Sequence, residues 1–252
     1  MDSPLLHWDH FSSSFPRKGR LMKNIFSSFI HNLYHWPLLT KIFPTQISCL
    51  QKALADCHSV LDLGCGPSSP IQYIHHLKKT VGVEIFPPYL QASQKNHIHH
   101  SYIAQDISKL DLPEKSFDAV VLIEVIEHLE ESSSQKILQQ AERWARKKVI
   151  VTSPNGFIPQ KAVDNNPYQE HLSGWPLKTM KNLGYHCQGL CGLKVLRQEV
   201  QDDTMDSSIL TSIRWHPRLF WFIIATLSQS ITYYFPKNAF GLFSIKRVDH
   251  PC

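Results

Sequence analysis

The spacing of hydrophobic residues changes near position 57 of the chain. Before this point, Ile47, Leu50 and Leu54 recur three or four residues apart, the spacing of an amphipathic helix. The same spacing occurs further upstream in Ile25, Phe26, Phe29, Ile30 and Leu33. The first 56 residues are therefore predicted to form a helical extension or lid.

From Ser59 onwards, short apolar runs alternate with helical patterns. The runs lie at 60–63, 80–85, 101–105, 117–123 and 149–152. The helical patterns run to about Leu77, onwards from Pro87, and over 132–148. Such alternation is typical of βαβ units in a parallel sheet. The run 117–123 is nearly all apolar, as expected for a central strand buried on both faces.

The alternation lapses between 154 and 175, and three elements are predicted after it. These are a helix over 176–183, a strand over 185–190 and a final strand over 239–248. We therefore predict a doubly wound α/β domain over 57–252, with a mostly parallel sheet and insertions at about 154–175 and 191–238.

The second insertion contains an apolar and aromatic stretch, LFWFIIATLSQSITYYF, over 219–235. This stretch is at the short limit for a membrane span and contains four polar residues, Ser228, Gln229, Ser230 and Thr232. A buried helix is predicted here, and peripheral contact with a membrane or a hydrophobic substrate is the alternative.

Composition and charge narrow the class of protein. The chain has 252 residues, 42% of them hydrophobic and 19% charged, which is ordinary for a globular chain. Its net charge is +5, without a long basic stripe, so nucleic acid is not expected as a partner. The six cysteines form no CxxC pair, and the start lacks a secretory signal pattern. These features predict a cytoplasmic protein.

The first strand runs into a glycine turn, VLDLGCG, over 60–66. Gly64 and Gly66, on either side of Cys65, carry no side chain, so backbone can approach a ligand closely. In parallel sheets ligands bind outside the carboxyl ends of the strands. Glu84 ends the second strand, where an acid accepts hydrogen bonds from ribose hydroxyls.

The sign of the charge beside the turn indicates which nucleoside binds. A dinucleotide site needs a third glycine at position 69, where this chain has Ser69. Asp62 would repel a pyrophosphate but suits the ammonium and sulfonium charges of S-adenosylmethionine. Asp106 ends the third strand, where it could accept from the adenine amino group, with Ile85 and Ile107 on the two faces of the ring. The sequence therefore predicts S-adenosylmethionine as the cofactor.

With these motifs the chain resembles the class I S-adenosylmethionine-dependent methyltransferases. The resemblance covers about 57–190 and rests on VLDLGCG, VGVEI, AQDI, FDAVVLIEVIEHL and VIVTSPNGF. One departure is Ser68, where many members have a third glycine. The resemblance implies methyl transfer, a seven-stranded sheet with helices on both faces and an antiparallel last strand, and contact of Glu124 with the cofactor.

Chemistry is expected in the ExxEH segment that follows the fourth strand, from Glu124 to His128. A hydroxyl acceptor needs a base or a metal to remove its proton. Similar segments occur in ubiquinone-biosynthesis O-methyltransferases and in small-RNA 3′-end 2′-O-methyltransferases, where a downstream histidine completes a metal site. We assign the catalytic role to His128 and predict no bound metal. The alternatives are a purely structural role and a Mg²⁺ or Mn²⁺ site formed by Glu124, Glu127, His128 and His171.

The acceptor expected from these features is a hydroxyl on a small or lipid-like molecule. The aromatic stretch at 219–235 favours a hydrophobic or membrane-proximal acceptor. Two alternatives stay open: a non-catalytic binding protein that keeps the cofactor fold, and a metal-assisted RNA 2′-O-methyltransferase. Neither the identity of the acceptor nor the oligomeric state follows from the sequence.

Overall fold

The computed structural model describes residues 42–198 and 212–248. A seven-stranded sheet lies at its centre, with strand order β3-β2-β1-β4-β5-β7-β6. The strands are β1 (Ser59–Leu63), β2 (Lys79–Glu84), β3 (Ser101–Ala104), β4 (Phe117–Ile123), β5 (Ala145–Pro154), β6 (His186–Leu193) and β7 (Ala239–Arg247). The helices are α1 (Gln46–Ala53), α2 (Pro87–Lys95), α3 (Glu131–Trp144), α4 (Leu177–Asn182) and α5 (Arg218–Tyr234).

Strand directions agree with the prediction of a doubly wound, mostly parallel sheet. Strands β1 to β5 pair in parallel, and β7 pairs antiparallel with both β5 and β6. The N-terminal helix predicted from Ile25 to Leu33 lies outside the described residues. The helical spacing of Ile47, Leu50 and Leu54 corresponds to α1, whose buried side packs against the sheet.

Alternating side chains of the central strands point into two separate apolar cores. Leu61 and Leu122 point into the core beneath α3, together with Ile137 of that helix. Val60 and Val121 point the other way, into the core beneath α1. Because β4 is buried on both faces, almost every position in it is apolar.

The helix predicted up to about Leu77 is wrong. The glycine turn is followed instead by a single 3-10 turn, Pro70–Tyr73, and an irregular segment. Ile71, Ile74 and Leu77 are all buried although no α-helix carries them. They recur every third residue, the repeat of a 3-10 helix, so a short tight turn and a loop are enough to bury them.

The helix predicted over 132–148 ends earlier, at Trp144. Arg146, Lys147 and Lys148, which the prediction included in this helix, belong to β5. Arg146 Nε donates to Asp118 Oδ1 at 3.0 Å, and Lys148 Nζ donates to Ala53 O at 2.9 Å. Arg146 therefore binds a carboxylate at the start of β4, and Lys148 binds a carbonyl at the C-terminus of α1 rather than of α3.

The aromatic stretch at 219–235 is helical as predicted, and α5 packs against β6. An added Cβ at Gly189 would lie 2.1 Å from Thr232 O, so the helix backbone touches the strand. The prediction that the helix is buried is correct for this side only, because the opposite side of α5 is exposed. Among the described residues, no helix combines the length and the hydropathy needed to cross a bilayer.

Candidate active site

A cavity of about 540 Å³ lies at the carboxyl ends of β1 to β4. Its volume is within the range of small-molecule sites. All nine predicted cofactor residues line it: Asp62, Gly64, Cys65, Gly66, Glu84, Ile85, Asp106, Ile107 and Glu124. The predicted catalytic residue His128 also lines this cavity.

The glycine turn requires glycine at two positions. Gly64 and Gly66 have φ angles of +67° and +58°, in the left-handed region that favours glycine. A Cβ at Gly64 would also lie 2.8 Å from Val125 Cγ2. The backbone N–H groups of Gly64 and Cys65 donate to Val83 O at 2.8 and 3.0 Å, which fixes the turn against β2.

Asp62 presents a carboxylate oxygen that fits a cationic ligand. The residue is only 1% exposed. Its Oδ2 accepts from Ser69 Oγ at 2.5 Å and lies 3.3 Å from His99 Nε2. Its Oδ1 is buried and has no hydrogen-bond partner among the described residues. Because a buried carboxylate needs a partner, Oδ1 is suited to the ammonium group of S-adenosylmethionine.

The supporting residues Ser69 and His99 were missed by the sequence analysis. Ser69 counted only as a missing glycine, yet its hydroxyl holds Asp62 in place. His99 comes from the loop before β3, and Gly82 leaves room for it, since a Cβ there would lie 2.6 Å from His99 Cδ2. The glycine within an otherwise β-branched strand was the available signal of a close approach.

Glu84 holds the glycine turn as well as facing the cavity. Its Oε2 accepts from Gly66 N at 3.0 Å, and its Oε1 accepts from Phe86 N at 2.8 Å. Each carboxylate oxygen can accept a second hydrogen bond, so the predicted contact with ribose hydroxyls remains available. Asp106 is fixed similarly, because its Oδ1 accepts from Ser108 N at 2.8 Å.

Glu124 occupies the junction of two cavities. It has a φ of +53°, which is uncommon for a residue with a side chain and is often found at functional sites. Its N–H donates to Thr152 O at 3.0 Å at the end of β5. Glu124 lines the cofactor cavity and also a second cavity of about 420 Å³ beside α5.

Hydrogen bonds attach the segment that follows β5 to the ExxEH turn. Ser173 Oγ and Trp175 Nε1 both donate to Ile126 O at 3.1 Å. The N–H groups of Leu172 and Ser173 donate to Glu127 O at 2.8 and 3.0 Å. These bonds explain why His171, more than forty residues downstream, lies beside the ExxEH turn.

Glu127, His128 and His171 form a compact cluster of metal-ligating groups. One ligand atom from each residue lies within 4.8 Å of the others. Nδ1 of His128 lies 3.2 Å from Glu170 O, and Nδ1 of His171 lies 2.6 Å from Ile158 O. Because a carbonyl only accepts, both Nδ1 atoms carry the hydrogen, and each Nε2 has the lone pair that a metal ligand needs. The cluster contains three of the four residues in the predicted set and does not include Glu124.

The pKa of His128 is lowered from 6.5 to about 4 by burial and by the neighbouring His171. The imidazole is therefore neutral near pH 7, as metal ligation requires. A group with such a low pKa is a weak general base at that pH.

The sheet, the glycine turn and the acidic residues at three strand ends suit a nucleoside ligand that carries a positive charge. Residues 61–152 match a family model described as a methyltransferase domain. No curated protein sequence matches the chain significantly. Residues 61–152 therefore form part of a methyltransferase domain that uses S-adenosylmethionine as its cofactor.

Several solved structures resemble the chain at low sequence identity. The methyltransferase domain of bacterial CtHen1-C has a TM-score of 0.50 and 16% identity, over 82% of this chain and 98% of that chain. An S-adenosylmethionine-dependent methyltransferase from Archaeoglobus fulgidus has a TM-score of 0.48 and 16% identity, over 84% and 99%. Magnesium protoporphyrin IX methyltransferase from Synechocystis PCC 6803, solved with bound S-adenosylmethionine, has a TM-score of 0.41 and 14% identity, over 70% and 90%.

Proposed function

We propose that the chain transfers the methyl group of S-adenosylmethionine to a hydroxyl oxygen, assisted by a divalent cation at Glu127, His128 and His171. The observation that carries this proposal is the convergence of three ligand atoms within 4.8 Å, with one of the three residues lining the cofactor cavity. The sequence analysis favoured no metal, and the geometry of this cluster is the reason to change that view.

The surroundings of the cluster support cation binding. Metal-ligating histidines usually donate their other ring N–H to a backbone carbonyl or carboxylate, which fixes the tautomer. Both His128 and His171 do so. One carboxylate and two imidazole side chains suit a cation such as Mn²⁺. A cation bound there would lower the pKa of a hydroxyl that coordinates it, as it does for water.

The chain itself contributes mainly alignment. Asp62 holds the ammonium end of the cofactor and Glu84 its ribose, which directs the methyl group towards the acceptor. A lone pair of the acceptor oxygen forms the new bond to the methyl carbon. The electron pair of the carbon–sulfur bond passes to sulfur, giving S-adenosylhomocysteine, and the hydroxyl proton passes to solvent.

A metal-free reaction with His128 as the general base is the second candidate, because His128 lines the cofactor cavity. A pKa of about 4 makes His128 a poor acceptor for a hydroxyl proton at neutral pH. The same low pKa does not hinder metal ligation. The metal-assisted reaction is therefore the better supported of the two.

Manganese binding tests the proposal. The protein is treated with EDTA, dialysed and titrated with Mn²⁺ by electron paramagnetic resonance. We expect one site per chain, with affinity reduced at least about tenfold in Glu127→Gln and His171→Gln. The exposed His186 supplies the matched control His186→Gln, which should bind Mn²⁺ as the wild type does.

Retained binding of S-adenosylhomocysteine shows that a variant is folded. Absence of Mn²⁺ binding at millimolar concentration, or equal affinity in all four proteins, would overturn the assignment of the cation.

A further inference from the structure

The outward side of α5 carries a continuous stripe of large apolar side chains. Five of its residues recur every fourth position, and one more lies beside the first of them. They are Leu219, Phe220, Ile223, Leu227, Ile231 and Phe235, each between 49% and 73% exposed. Single exposed apolar residues are common, but a contiguous set of this kind marks an interaction surface.

The stripe cannot turn inwards, because the opposite side of α5 is closely packed on the sheet. A Cβ at Gly192 would lie 2.1 Å from Ala225 O. Gln229 Nε2 donates to Gly189 O, and its Oε1 accepts from Gly192 N. These contacts hold the helix in one rotation, with the apolar stripe facing away from the protein.

The described charged residues nearest the stripe along the chain are positive. Arg214 precedes α5, Arg218 is its first residue, and Lys237 lies just beyond its end. The partner that complements this pattern has an apolar interior and an anionic surface.

Exposed aromatic residues with polar atoms stand at both ends of the stripe. Trp215 and Tyr234 are 47% and 70% exposed. Tryptophan and tyrosine favour the level of the lipid headgroups, where the ring is buried and the polar atom stays wet. The helix has 17 residues and is about 25 Å long, so it can lie along a membrane surface.

We propose that this apolar stripe docks α5 flat onto an anionic membrane surface. A second copy of the chain fits less well. In an antiparallel pair of α5 helices, Lys237 of one copy would face Arg214 and Arg218 of the other, and a parallel pair would also oppose like charges.

The position of the second cavity suggests what the membrane supplies. Ala225, Thr226 and Gln229 of α5 form one wall of this cavity, and Glu124 connects it with the cofactor cavity. Its other lining groups include the apolar Phe43 and Leu190. The acceptor is accordingly a lipid-like molecule whose apolar part occupies the second cavity and whose hydroxyl enters the cofactor cavity, which His128 of the cluster lines. This assignment of the acceptor rests on the proposed function, whereas the docking of α5 does not.

Vesicle flotation with the full chain tests the docking. The vesicles are phosphatidylcholine alone, or phosphatidylcholine with about 30% phosphatidylglycerol. We expect the wild type to float with the anionic vesicles, and to do so less at high salt. Leu227→Glu places a charge in the stripe and should reduce the bound fraction at least about tenfold.

The matched control is Gln139→Glu, which makes the same charge change on the exposed side of α3 and should float as the wild type does. Thermal unfolding and S-adenosylhomocysteine binding show that each variant is folded. Three results would overturn the proposal: no flotation of the wild type, equal flotation of Leu227→Glu, or a stable dimer that Leu227→Glu converts to a monomer. If the protein floats but does not bind S-adenosylhomocysteine, the proposed function fails and the docking stands.

Discussion

The substitution Asp62→Asn removes the charge that we assign to the cofactor ammonium while keeping the shape of the side chain. In the native chain Oδ2 accepts from the Ser69 hydroxyl, and Oδ1 is buried without a hydrogen-bond partner in the described part of the chain. An asparagine keeps one oxygen for Ser69 and turns an NH₂ group towards the cavity. That group is a donor and cannot accept from an ammonium.

The size of the effect follows from the burial of the carboxylate, which is 1% exposed. Removing one partner of a buried ion pair costs about 3–5 kcal/mol. The lower end applies here because the cavity is open to water on one side, and about 3 kcal/mol corresponds to a loss of affinity of about 100-fold. The cofactor-free protein should not lose stability, because the variant no longer buries a carboxylate oxygen without a partner.

Isothermal titration with S-adenosylhomocysteine measures the affinity, and thermal unfolding measures the stability. Asp111→Asn makes the same chemical change at an exposed position and should leave both unchanged. An affinity of Asp62→Asn within about threefold of the wild type would refute the ion-pair argument. So would a large fall in the unfolding temperature, since Asp62 would then be needed for folding.

Three further predictions concern the glycine turn, the segment after β5 that contains Trp175, and the cluster of metal-ligating groups. In urea unfolding, Gly64→Ala should lower the free energy of unfolding by more than Gly66→Ala does. Both positions have positive φ, but only the Cβ added at Gly64 meets Val125, at 2.8 Å. Trp175→Phe loses the Nε1–H donor to Ile126 O, and should cost about 1–2 kcal/mol and weaken Mn²⁺ binding without removing a ligand. The pKa of His128 is lowered to about 4, so the unfolded chain takes up a proton near pH 6.5 before the folded chain does. In EDTA the free energy of unfolding of the wild type should therefore fall by about 1 kcal/mol between about pH 7 and pH 5, allowing for the partial exposure of His128. The fall should be smaller in His128→Gln. An equal fall in both proteins would contradict the assigned pKa.

The sheet and the cofactor cavity could be predicted because their signals are local. Each strand is a short apolar run, and in a parallel sheet the acidic residues that end successive strands must meet at one edge. The positions of Asp62, Glu84 and Asp106 therefore followed from the sequence. The contribution of His99 could not be predicted, since it depends on how the loop before β3 approaches Gly82.

The cluster shows where arguments from spacing fail. The alternative metal site in the sequence analysis required Glu124 and Glu127 to converge, as residues three apart do on a helix. The backbone at Glu124 is left-handed instead, and the 3-10 turn begins only at Ile126, so the two side chains occupy different places. His171 reaches the cluster through tertiary hydrogen bonds from Ser173 and Trp175, which no periodicity reveals.

The orientation of α5 was beyond a sequence argument for a similar reason. Its apolar residues are distributed all around the helix, so no polar face marks the side exposed to solvent. The close approach of Gly189 and Gly192 decides which side is buried.

Hydrogen exchange measured with and without S-adenosylhomocysteine tests the central claim most directly, because it reports both binding and its location. The account predicts slower exchange in four segments that line one cavity, 64–69, 84–86, 106–108 and 123–128, and no such effect of NAD. Unchanged exchange at saturating S-adenosylhomocysteine, or protection only elsewhere in the chain, would contradict it.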